Sequence, residues 1–94
     1  MAILLHPNTA ERRYLIDLLL REAAECAQDP DLAGLHRRVL LFLCAVCEGE
    51  PFVLLDSGVT FMLYAVRREE HERGSSTESR AIIAQLLPSV EVRA

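Results

Sequence analysis

The chain has 94 residues, enough for one hydrophobic core but not two, since domains are built on the order of 100 residues. It is 51% hydrophobic and 26% charged, which excludes an intrinsically disordered chain. The net charge is −4 and every strong base is Arg, so nucleic acid is not the expected partner.

Met1 to Leu5 has neither the basic segment nor the long apolar stretch of an export signal. The longest apolar run, Val39 to Cys47, is less than half of the ~20 residues needed to cross a bilayer. A cytoplasmic single domain, with no membrane partner, is the expectation. Three cysteines cannot close into a complete intramolecular set, which points to reduced thiols.

In chain order, Ile3-Leu4-Leu5 is a short candidate strand. Asn8 followed by Glu11 has the spacing of a capping box and predicts a helix from about Thr9 to Gln28. On that helix Leu15, Ile16, Leu19, Leu20, Ala23 and Cys26 share one arc, with Glu11, Asp17, Arg21 and Glu25 opposite. Asp29-Pro30-Asp31 combines a cap, a first-turn proline and an acid, so a second helix is predicted at once, ending near Gly49. The short connection implies an antiparallel helical hairpin.

Beyond Gly49 the period is ambiguous. Phe52 to Leu55 and Val59 to Val66 are rich in β-branched and aromatic residues, and Asp56-Ser57-Gly58 between them suits a turn, so a β-hairpin is the expectation. The competing arrangement is one helix from about Ser57 to Arg73. Gly74-Ser75-Ser76 reads as a turn, followed by a short helix that Pro88 should end. Val90-Glu91-Val92 alternates as a last strand would. The expected fold is α+β in the order β-α-α-β-β-α-β, with the helical hairpin on one face of a small, mainly antiparallel sheet. An all-α bundle is the alternative.

The sharpest chemical motif is Cys44-Ala45-Val46-Cys47, a C-x-x-C pair of the kind that holds zinc or exchanges dithiols. Redox pairs of this type sit at a helix N-terminus, and this one sits at the other end, beside Glu48 and Glu50. A structural zinc site needs about four ligands. His6 is the one further ligand that could approach, which makes three, so the cysteines are expected to be small buried hydrophobes. His36 lies in the middle of the apolar arc, where a neutral, hydrogen-bonded imidazole is the ordinary outcome. No phosphate loop, nucleophile elbow or calcium loop is present, so no catalytic residue and no cofactor is assigned. The polar stretch from Arg67 to Ser79 is expected to be a solvated loop or a segment that orders on a partner.

Both early helices carry apolar arcs wider than one core requires, with Leu18 on the first and Leu41 and Phe42 on the second outside the narrow seam. Exposed apolar surface of that breadth marks association. The expected function is therefore a protein-interaction or regulatory module. It would act as a homodimer, or within an obligate hetero-complex, through Leu18, Leu41 and Phe42, framed by Arg67 and Arg68. A thiol-redox or zinc protein using Cys44 and Cys47 is the alternative.

Overall fold

The computed structural model describes residues 2–49 and 51–91. Among them the chain is mostly helical, with four α-helices and a two-stranded antiparallel sheet. Strand β1 (Ala2–Leu5) leads into helix α1 (Thr9–Ala27), a 3-10 turn at Pro30–Leu32 and helix α2 (Ala33–Glu48). Strand β2 (Phe52–Leu55) follows, then α3 (Asp56–Arg73) and α4 (Thr77–Glu91).

The first half follows its local signals. Asn8 accepts a hydrogen bond from the Glu11 backbone N–H at 2.8 Å, and its own N–H donates to Glu11 Oε1 at 3.2 Å, which completes the capping box of α1. Asp29 caps the 3-10 turn by accepting from the Asp31 N–H at 3.0 Å. Gly49 ends α2 with φ +83°, a left-handed conformation that glycine adopts without a Cβ penalty.

The stretch after Leu55 corrects the β-hairpin expectation and takes the competing helical arrangement. Asp56-Ser57-Gly58 is the first turn of α3 rather than a hairpin turn, and Val59 to Val66 is helical. Val59, Met62, Val66 and Glu69 lie on the buried face of this helix, a spacing of three and four residues that a strand could not place on one side. Burial on that face overrides the strand propensity of the β-branched residues. The stretch from Arg67 to Arg73, expected as a loop, is the last part of α3. Helix α4 continues past Pro88 to Glu91, so the proline expected to end it lies inside its last turn, where it forfeits its own N–H bond and crowds the carbonyl of Ala84. Val90 and Glu91 therefore belong to α4 and not to a strand, and Val92 lies outside the described residues.

Helix α1 is the centre of the fold, packed against α2, α3 and α4. Leu15, Leu18 and Leu19 of α1, Val39 and Val46 of α2, Met62 and Val66 of α3 and Ile82 and Leu86 of α4 close the core, with Leu5 and Leu54 from the strands. Each fully buried aliphatic side chain contributes about 1.5–3 kcal/mol. Ala2 pairs with Leu55, Ile3 with Leu54, Leu4 with Val53 and Leu5 with Phe52. Alternation along the strands turns Leu5 and Leu54 inward and Leu4, Val53 and Leu55 outward.

Candidate functional site

The outward face of the sheet is apolar. Leu4 is 48% exposed, Val53 60% and Leu55 66%, on a surface where strands normally present polar residues. Beside it α2 presents Leu41, 64% exposed, and Phe42, half-buried. Between them runs a groove of about 290 Å³ lined by Arg38, Leu41, Phe42, Val53, Leu55, Ser57 and Gly58. Arg38 donates from Nη2 to Ser57 Oγ at 2.9 Å, which places a guanidinium at the groove and ties α2 to the start of α3. The groove floor depends on Gly58. A Cβ there would meet Leu54 Cδ2 at 3.2 Å and Phe42 Cζ at 3.3 Å.

Two of the residues expected at an interaction surface, Leu41 and Phe42, meet at this groove. Leu18 does not: it is 1% exposed and belongs to the core. The broad apolar arc of α1 reflects its contact with three other helices, so the chain itself covers Leu18, while Leu20 on the flank of that arc is exposed. Arg67 is exposed on α3. Arg68 is occupied within the chain by Glu25 at 2.8 Å, Glu72 at 3.2 Å and Glu22 at 3.5 Å. Hydrogen bonds to Glu25 and Glu72 push its proton affinity above that of a free guanidinium. Burial, against the attraction of Arg68, raises the Glu22 carboxyl above its ordinary range.

Sequence reasoning missed Leu4, Val53, Leu55, Arg38 and Ser57 as parts of one surface. The signal was present in Phe52-Val53-Leu54-Leu55: a strand apolar at every position has an apolar outer face once only one side reaches the core.

The cysteines divide. Cys26 is buried, and its thiol is raised chiefly by desolvation, with Glu22 adding to it. Cys44 and Cys47 are exposed, correcting the expectation that they are core residues; on α2 Cys44 lies opposite Val39 and Val46 and Cys47 on the flank. Among the described residues no three His, Cys, Asp or Glu side chains gather as a metal-binding group, so His6 does not complete a site with Cys44 and Cys47. Instead the His6 backbone N–H donates to Gln85 Oε1 at 2.9 Å. His36 is half-buried and His71 exposed. No helix among the described residues is long and apolar enough to cross a membrane.

No family model matches the chain, and the searches of curated proteins and of solved structures find no match.

Proposed function

We propose that this chain is a protein-interaction module that pairs with a second copy through the apolar surface formed by α2 and the outer face of the β1–β2 sheet. One observation carries the reading: Leu41, Val53 and Leu55, all exposed, line one groove, and the exposed Leu4 pairs with Val53 across the sheet. Single exposed leucines are ordinary on a soluble protein, but a contiguous apolar patch with a polar rim is characteristic of association sites. Arg38 and Ser57 supply that rim. The function is non-enzymatic in this reading, because the groove brings together an arginine and a serine with no base to activate the hydroxyl among its lining residues.

Sedimentation velocity at low micromolar concentration tests the proposal. A mass of twice 10.5 kDa supports it, and a clean monomer overturns the pairing. Leu41→Glu, at an exposed position, should abolish the dimer while leaving the far-ultraviolet dichroism unchanged. The exposed pair Cys44 and Cys47 keeps a thiol or zinc role as a second reading. Stoichiometric zinc in protein purified without chelator would favour that reading.

A further inference from the structure

Helix α2 packs on α1 through Val39 and Val46 and turns a different face outward. That face carries Arg37, Leu41, Cys44 and Glu48, all exposed, at positions i, i+4, i+7 and i+11. At ~100° per residue these four fall within an arc of about 60°, a single straight stripe along the helix. The stripe has a cation near one end, two apolar groups at its middle and an anion at the other end. Among the described residues neither Arg37 nor Glu48 takes part in an ion pair, whereas Arg21, Arg68 and Arg73 all do.

This pattern complements itself when reversed. Set against a second copy running in the opposite direction, Arg37 meets Glu48 and Leu41 meets Cys44, each pair occurring twice. Run parallel and in register, the same stripe would oppose Arg37 to Arg37 and Glu48 to Glu48. The local physics of α2 gives Glu48 no reason to be there, since a carboxylate on the last turn faces the negative end of the helix dipole. An arginine supplied by an antiparallel neighbour removes that conflict.

We infer that two copies pair antiparallel along α2, about a two-fold axis passing between Leu41 and Cys44, with Arg37 of each chain on Glu48 of the other. The inference rests on the self-pairing proposed above and specifies its geometry. The interface is isologous, as closed dimers require, and a shallow crossing near 20° keeps two helices in contact over the ~16 Å from Arg37 to Glu48. Leu41 borders the groove, so the second α2 also covers the groove's edge.

Charge reversal tests it. Arg37→Glu and Glu48→Arg, made singly, each place like charges across both ends of the interface and should weaken the dimer roughly tenfold or more in low salt. An equimolar mixture of the two single variants should re-associate as a heterodimer, because each supplies the charge the other lacks; this recovery also shows that both variants are folded. A short bismaleimide gives an independent readout. About the stated axis the two Cys44 residues are offset by ~4.5 Å along the helices and the two Cys47 residues by ~13.5 Å. Cross-linking should therefore be lost in Cys44→Ser and retained in Cys47→Ser. A native protein that sediments as a monomer overturns the self-pairing itself. A native dimer that both charge reversals leave intact, or that cross-links through Cys47, overturns the antiparallel α2 geometry while self-pairing stands.

Discussion

Phe42 of α2 stacks on Phe61 of α3, with ring centroids 5.5 Å apart and planes 15° from parallel. The same Phe42 ring occupies the space beside Gly58, so the groove, the aromatic stack and the first turn of α3 form one packed unit. Glycine inside a helix costs about 1 kcal/mol relative to alanine, and here the close approach of the ring offsets what alanine would recover. Gly58→Ala should therefore be more favourable in a Phe42→Ala background than in the native one, with a coupling of about 1 kcal/mol in a denaturant double-mutant cycle. Strict additivity of the two changes would show that ring and glycine are independent.

Tyr14 carries a hydroxyl that is buried without a hydrogen-bond partner among the described residues. Burial first, and the nearby Glu69 second, push its pKa from 10.0 up to about 12. Because the folded value is raised, the stabilising contribution is complete below pH 10 and is lost as pH rises through about 12. Spectrophotometric titration of a Tyr64→Phe variant isolates Tyr14 and should show its midpoint near 12. Tyr14→Phe should stabilise the protein by up to about 1 kcal/mol at neutral pH, since a buried hydroxyl with no partner has only desolvation to lose. A loss of more than that would mean the hydroxyl is bonded.

Glu69 is 9% exposed on the inner face of α3, and two guanidinium groups hold it there: Arg21 from α1, and Arg73 one turn along α3 at 2.9 Å. Removing one cation leaves a nearly buried carboxylate short of a partner. Arg21→Ala should cost about 1–2 kcal/mol, discounted for the partly exposed arginine, whereas Arg13→Ala on the exposed side should cost under about 0.5 kcal/mol. Equal costs in chemical denaturation would remove the role assigned to Arg21.

Ser79 is fully buried and joins α3 to α4. Its hydroxyl donates to Glu70 Oε2 at 2.7 Å and accepts from the Ser76 N–H at 2.8 Å, while Ser76 Oγ accepts from the Ser79 N–H at 3.0 Å. The Ser79 hydroxyl also lies 3.0 Å from the Ser76 carbonyl oxygen, and Ser79→Ala removes all of these hydroxyl contacts and should cost about 1–3 kcal/mol. Ser76→Ala removes only the helix cap and should cost about 1 kcal/mol. The reverse order in thermal unfolding would contradict this account of the junction.

The cap of α1 and the stop of α2 were legible because each is decided by residues within one turn, Asn8 with Glu11 and Gly49, whereas Asp29 and Asp31 cap a 3-10 turn and α2 begins only at Ala33, without a side-chain cap. The strand Phe52–Leu55 was legible, but residues 56–66 were not decided locally. Val59, Phe61, Leu63 and Val66 favour a strand by composition, and the helical face that wins includes Glu69, whose burial depends on Arg21 from α1. Val59, Met62, Leu63 and Val66 also fit a helical period, so strand and helix competed, and packing against the rest of the chain decided for the helix. The interaction surface was half legible. The width of the arcs on α1 and α2 was visible, but α1 is wide because three helices surround it and leaves Leu20 exposed, whereas α2 leaves Leu40 and Leu41 exposed.

Strand β1 is tied to segments distant from it in sequence. It pairs with residues 52–55, the His6 N–H beside it is held by Gln85, and Gln85 also donates to Glu11 at 3.2 Å. During synthesis β1 therefore waits for residues 52–55, and His6 for Gln85, before these partners exist. Until α4 is made, Leu4 and Leu5 have no settled place, and the apolar strand is open to chaperones or to misassembly with neighbouring nascent chains.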